Sequence, residues 1–151
     1  MRTRLLHALL PLALLALSAG GAPAQTAPPV AGAVPTSMAA SRVAAGQSVS
    51  GTLQTADPAA SDGTYYDDWT YSGTRGDRLT LSLRSDTIDT YLRFGRMKGG
   101  EFSQIAENDD GGEGSNSLLQ VTLPADGEYV IRVNTLVTET GPYTLRVTKR
   151  P

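Results

Sequence analysis

The sequence predicts an all-β fold, an antiparallel sandwich or barrel of about eight strands. Three observations predict it. Apolar residues recur at every second position in short runs, the pattern of strands with one buried face. Gly, Asp, Asn and Pro separate the runs at roughly 8–12-residue intervals, the spacing of all-β sandwiches and barrels. No helical period of useful length follows the N-terminal region.

The strands read in order as follows. Val49, Gly51 and Leu53 alternate with Ser50 and Thr52, and Trp69 and Tyr71 flank Thr70. Leu79, Leu81 and Leu83 alternate with Thr80 and Ser82, and Leu92 and Phe94 flank Arg93. Phe102 and Ile105 form a weaker run. Leu119, Val121 and Leu123 then alternate with Gln120 and Thr122. Tyr129, Ile131 and Val133 alternate with Val130 and Arg132, and Tyr143, Leu145 and Val147 with Thr144 and Arg146. The apolar sets belong to the core, and Arg132 and Arg146 are expected to point to water. Ser61-Asp62-Gly63, Arg75-Gly76-Asp77, Lys98-Gly99-Gly100, Asp110-Gly111-Gly112 and Ala125-Asp126-Gly127 supply the turns, because these residues tolerate positive φ.

The 151 residues divide into three segments. In residues 1–24, Arg2 and Arg4 precede an apolar run from Leu5 to Leu17, and Ala22-Pro23-Ala24 gives a small-residue cleavage site. That order is a cleavable signal peptide, and the run is shorter than the roughly 20 residues of a membrane span. Residues 25–40, rich in Ala, Pro, Thr and Val, read as an uncharged leader. Residues 41–150 hold the β domain, with no later segment apolar enough to span a membrane. The protein is therefore expected in the periplasm or outside the cell, as a monomer.

Removing Arg2 and Arg4 leaves 11 of the 13 basic residues against 15 acidic ones, a net charge near −4. That balance argues against nucleic acid as a partner, since phosphate binding needs a basic face. The lone histidine, His7, lies in the signal, and there is no cysteine. Ser-His-Asp triads, Cys-His dyads and His-ligated zinc are thereby excluded from the mature chain. Disulfides are excluded as well, so the domain rests on its core, or on its core and a metal.

Several motifs in order carry a family resemblance. Asp67-Asp68-Trp69-Thr70-Tyr71 is followed by Gly76-Asp77-Arg78-Leu79-Thr80-Leu81-Ser82-Leu83 and Asp89-Thr90-Tyr91-Leu92. Ala106-Glu107-Asn108-Asp109-Asp110-Gly111, Leu123-Pro124-Ala125-Asp126-Gly127-Glu128-Tyr129 and Gly141-Pro142-Tyr143-Thr144-Leu145 complete the set. From about Val43 to Lys149 the chain resembles the bacterial pre-peptidase C-terminal domain, whose fold the collagen-binding modules of clostridial collagenases share. The resemblance implies a jelly-roll-like β-sandwich, Ca²⁺ stabilisation in several members, and a binding, targeting or secretion-accessory role. Two departures are visible. No peptidase domain precedes the domain here, so it reads as stand-alone. The acidic segment that calcium-binding members often carry before the first strand is replaced by Pro35-Thr36-Ser37-Met38-Ala39-Ala40, which has no carboxylate.

The metal candidates fall in two places. Asn108, Asp109 and Asp110 open a Gly-rich acidic loop that runs to Gly114, and Ca²⁺ takes six to eight oxygens from such groups. A solvated hairpin turn reads the same way. Asp67 and Asp68 form the second place, and Asp67 matches a family position that helps bind calcium. On a strand these neighbours point to opposite faces, and a charge at a strand edge also discourages edge pairing. Asp86 and Asp89 read as turn residues. Tyr65 and Tyr66 are expected in a loop as the exposed aromatic pair of a ligand surface, while Trp69, Tyr71, Tyr129 and Tyr143 belong to core faces.

These observations favour an exported, non-catalytic binding or accessory module, stabilised by Ca²⁺, whose partner is an unknown protein or polysaccharide surface. A metal-free structural component of the periplasm or envelope is the second class. A carboxylate-pair hydrolase, which needs only two suitably spaced acids, is the third.

Overall fold

The computed structural model describes residues 41–151; the signal-peptide and leader assignments of residues 1–40 lie outside the described residues. Nine strands form: β1 (Ser41–Arg42), β2 (Ser48–Leu53), β3 (Tyr66–Gly73), β4 (Arg78–Arg84), β5 (Thr90–Lys98), β6 (Glu101–Asn108), β7 (Ser117–Thr122), β8 (Gly127–Thr135) and β9 (Gly141–Arg150). They make a five-stranded sheet in the order β1-β3-β8-β5-β6 and a four-stranded sheet in the order β2-β9-β4-β7. No helix among the described residues is long and apolar enough to cross a membrane.

The eight expected strands are β2 to β9. The ninth, β1, pairs parallel with β3 through Ser41↔Trp69 and Arg42↔Thr70. Two exposed residues with no alternation carry no sequence signal, so β1 escapes a period-two reading. Every other pairing is antiparallel.

The alternating residues meet in one core between the sheets. Leu79, Leu81 and Leu83 of β4 and Leu145 and Val147 of β9 face Leu92 and Phe94 of β5 and Tyr129, Ile131 and Val133 of β8. Phe94 and Tyr129 stack, with ring centroids 5.1 Å apart and planes 14° apart. The Tyr129 hydroxyl donates to the Ala125 carbonyl at 2.6 Å, which ties the β7–β8 turn to the core. The Arg96 guanidinium lies 4.0 Å from the centre of the same ring. Tyr71 and Tyr143 are buried as expected; Trp69 is half-buried at the edge of the core.

The weak run of Phe102 and Ile105 does form a strand, but outside the core. A bulge between Phe94 and Gly95 shifts the β5–β6 register, and Ile105 stays exposed. Phe102 instead crosses the outer face above Gly95, where a Cβ would press on its ring and on the Ser103 carbonyl.

Candidate functional site

Three places hold the chemistry singled out above: the β3 carboxylates, the β6–β7 loop, and the outer face of the five-stranded sheet.

Asp67 faces inward on β3 and accepts a hydrogen bond from the Tyr143 hydroxyl at 2.7 Å. That hydroxyl accepts one from Trp69 Nε1 at 2.9 Å. The chain Trp69–Tyr143–Asp67 links the two sheets, since Tyr143 lies on β9. Burial pushes the Asp67 carboxyl above its usual value against the opposing Tyr143 hydrogen bond, and the nearby Asp57 and Asp68 charges push the same way. Burial and the Asp67 contact raise Tyr143 far above an ordinary phenol, so it is a permanent donor here.

Asp68 faces outward. Its two carboxylate oxygens accept from Arg132 Nε and Nη2, both at 2.8 Å, a bidentate pair between register partners. Arg132 is 8% exposed. Its guanidinium lies 3.7 Å from the centre of the Tyr66 ring and 4.3 Å from that of Phe102. The expectation that Arg132 points to water is corrected by this sandwich: two aromatic rings and a carboxylate replace solvent around the cation.

The same arrangement corrects the placing of Tyr66, which begins β3 rather than lying in a loop and is half-buried beneath Arg132. Tyr65 precedes the strand, bridges to Ala59, and is also half-buried. Its carbonyl accepts from Asn134 Nδ2 at 3.1 Å. The two tyrosines are adjacent in the chain but do not form one exposed aromatic pair.

The β6–β7 loop is built as a closed turn. Gly111, at φ 89°, bridges to Ser117. The Leu118 amide donates to the Asp110 carbonyl at 2.9 Å. Asn108 Nδ2 donates to the Leu118 carbonyl at 2.9 Å, and its Oδ1 accepts from the Asp110 amide at 3.3 Å. Ser117 Oγ donates to the Thr90 carbonyl at 2.7 Å and anchors the loop to β5. The Asn108 side chain is thus spent on holding the turn, while the Asp109 and Asp110 carboxylates have no hydrogen-bond donor among the described residues.

Two further acids join that loop. Glu139, in the β8–β9 connection, accepts from the Asp89 amide at 2.9 Å. Burial raises the Asp89 carboxyl above its usual value, and Glu139, Asp109 and Asp110 add to the rise. Four carboxylates from three loops therefore share one end of the sandwich. Sequence reading took Asp89 for a turn residue and passed over Glu139, because nothing local marks two acids that only the loop packing brings together.

The two metal candidates remain separate. Asp67, Val133, Leu92 and Asn108 occupy one cross-strand row. Three strand spacings of about 4.8 Å put its ends roughly 14 Å apart. Calcium–oxygen distances are about 2.3–2.6 Å, so one ion cannot use both ends. Asp68 is taken by Arg132 and Asp67 by Tyr143, a poor fit to a cation. The loop fits better, with two uncommitted carboxylates in a field of four. Among the described residues no three acidic side chains converge closely enough to hold an ion by themselves, so the remaining oxygens would come from backbone or water.

A surface cleft lies elsewhere, on the four-stranded sheet, between β2, β9 and the β4–β5 turn. Asp86 is its single carboxylate, beside Arg84, Ser85, Thr87 and Thr144.

Residues 65–135 match the family model of the bacterial pre-peptidase C-terminal domain. Among solved structures, the pre-peptidase C-terminal domain of a Bacillus anthracis collagenase superposes with a TM-score of 0.52 at 15% identity, covering 72% of this chain and 93% of that one. PliG of Aeromonas hydrophila, a periplasmic inhibitor of g-type lysozyme, superposes with a TM-score of 0.50 at 19% identity, covering 73% of this chain and 96% of that one. At these identities the two structures speak for the β-sandwich fold. No curated protein matches the chain in sequence.

Proposed function

We propose that this chain, whose residues 65–135 match the family model of the bacterial pre-peptidase C-terminal domain, is an exported, non-catalytic accessory module that binds a protein or polysaccharide surface and is stabilised by Ca²⁺ at its β6–β7 loop. Outside the acidic β6–β7 loop end, the commitment of several carboxylates supports the non-catalytic reading. Asp62 pairs with Arg93, Asp68 with Arg132 and Asp77 with Lys149. Asp67 is held by Tyr143, and the cleft on the four-stranded sheet contains one acid where a glycosidase-type pair needs two. Residues 41–151 also contain no histidine or cysteine.

Export rests on the sequence of residues 1–24, with its basic start, apolar run and Ala22-Pro23-Ala24 site. Calcium rests on the uncommitted Asp109 and Asp110, with Asp89 and Glu139 adding charge. A bound cation there would neutralise the repulsion among these acids and ease ionisation of the Asp89 carboxyl against its burial.

The test is a thermal melt of the purified protein in EDTA and then in Ca²⁺ or Mg²⁺, beside fractionation of the producing cells. A ligand that binds only the folded state adds RT ln(1 + [L]/Kd), about 2.7 kcal/mol at a hundredfold excess over Kd. For a domain of this size that raises Tm by several degrees. The expected result is a rise with Ca²⁺ and not Mg²⁺, abolished by Asp109→Ala with Asp110→Ala, for protein recovered outside the cytoplasm. No shift at millimolar Ca²⁺ removes the metal and favours a metal-free structural component of the envelope, the reading that the absence of three converging acids supports. Recovery in the cytoplasm overturns the export reading.

A further inference from the structure

The two outer faces of the sandwich treat their arginines in opposite ways. On the five-stranded sheet every arginine with its side chain outward is matched to a carboxylate: Arg42 to Glu128, Arg93 to Asp62 and Arg132 to Asp68. The four-stranded sheet turns Arg78 and Arg84 of β4 and Arg146 and Arg150 of β9 outward, all exposed. None of these four forms an ion pair among the described residues. The outward positions of β2, β4, β7 and β9 include no Asp or Glu at all. Lys149, the remaining cation of β9, is paired with Asp77.

The register makes the accumulation sharper. Arg78 and Arg150 sit directly opposite each other, an arrangement that costs stability for like charges. Arg84 faces Thr144, and Arg146 faces Ser82, so Arg84 and Arg146 are diagonal neighbours. The two arginine pairs stand about 13–20 Å apart, six residues along β4 and four along β9. Between and beside them the face is hydroxylic, with Ser50, Thr52, Ser82, Thr144 and Thr148. The Thr80 hydroxyl in its middle has no hydrogen-bond partner. At the Arg84 end the face dips into the cleft, where Asp86, standing in the turn beyond the sheet, is the single acid.

We propose that the outer face of the four-stranded sheet is the docking surface for an anionic polysaccharide whose sugar units carry carboxylates. This deepens, and rests on, the reading of the protein as a surface-binding module. The warrant is charge complementarity in a chain whose overall charge is negative. Guanidinium groups match carboxylates bidentately, and Ser and Thr hydroxyls both donate to and accept from sugar hydroxyls. The outward strand positions hold no aromatic residue for stacking nucleobases, and their apolar side chains, Leu118 of β7 and Pro142 of β9, are too few and too far apart to make a membrane-inserting face. The lack of acids and the facing cations have no stabilising purpose within the fold; a polyanion laid along the sheet removes the repulsion they create.

The experiment measures binding of the purified protein to polygalacturonate by calorimetry at low ionic strength, with neutral dextran as control. Binding is expected to polygalacturonate alone and to weaken as salt rises. Arg84→Gln with Arg146→Gln is expected to lower affinity at least tenfold while Tm holds or rises, because like-charge repulsion is relieved. Lysine at both positions keeps the charge but not the bidentate fork, and is expected to fall between. The proposal is overturned if the unaltered protein does not bind polygalacturonate, or if replacing all four arginines by glutamine leaves binding intact. It is also overturned if duplex DNA or phosphatidylglycerol vesicles bind as tightly with the same arginine dependence. Loss of polygalacturonate binding in a protein that is exported and responds to Ca²⁺ removes this face assignment alone; recovery in the cytoplasm removes the reading beneath it.

Discussion

Tyr143 of β9 lays its phenol across the bare backbone of Gly51, its register partner on β2. A Cβ at residue 51 would overlap the ring and hydroxyl of Tyr143. The glycine is therefore a space requirement, set by a side chain 92 residues away in sequence whose hydroxyl reaches Asp67 and Trp69. Gly51→Ala is expected to destabilise the fold by about 1–3 kcal/mol, the usual cost of overpacking. Chemical denaturation checks it, and an unchanged midpoint would show that the ring moves aside freely.

Asp67 should make stability depend on pH in the direction opposite to Asp62 and Glu107. Its folded carboxyl is raised above the ordinary 3.8 by burial. Between that value and its raised folded one the native state holds more protons, so this group's contribution falls as pH rises through the window. Asp62 and Glu107, lowered chiefly by hydrogen bonds from Thr64 and Tyr91, contribute stability above the ordinary carboxylate range that is lost on acidification. Asp67→Asn keeps an acceptor for Tyr143 and removes the titration. Its Tm relative to the unaltered protein is expected to climb as pH rises from the ordinary carboxylate value through the raised value of folded Asp67. A flat or falling difference would contradict the burial argument.

The Arg132–Asp68 pair is strengthened by position. It is mostly covered, bidentate, and stacked on Tyr66 and Phe102. Breaking a buried pair by removing one partner costs about 3–5 kcal/mol, and the residual exposure of Asp68 places this pair toward the lower end. Asp68→Asn and Arg132→Lys should both lower the denaturation midpoint, the lysine losing the fork and the aromatic stacking while keeping the charge. By comparison, Arg42→Lys, at an exposed pair, should cost no more than about 1 kcal/mol.

Tyr129 tests the turn before β8. Its ring is fully buried between Phe94 and Arg96, and its hydroxyl both donates to the Ala125 carbonyl and accepts from the Ala125 amide. Tyr129→Phe keeps the packing and strands the Ala125 amide, while the Ala125 carbonyl keeps only its bond from Arg96 Nη2 at 3.1 Å. A loss of about 1–3 kcal/mol is expected, the cost of leaving a partly buried polar group unsatisfied. Hydrogen exchange should quicken at Ala125 more than at Ile131, and equal acceleration at both would mean that the hydroxyl serves the whole sheet rather than the turn.

The sequence by itself determined which side chains fill the core. Leu79, Leu81, Leu83, Tyr129, Ile131, Val133, Tyr143, Leu145 and Val147 are all buried where alternation puts them, because period two is a local property of an extended backbone. The family motifs were legible for the same reason, as short runs in a fixed order. Only the tertiary structure decided what surrounds the outward residues. Arg132 and Arg146 both lie between apolar neighbours and look alike in the chain. One is sealed by Asp68, Tyr66 and Phe102, and the other stands unpaired on a face without acids. Likewise Asp89 and Glu139 join Asp109 and Asp110 only through loop packing. Which groups share a face or a loop end depends on strand order and register, and those are set by contacts between residues far apart in the chain.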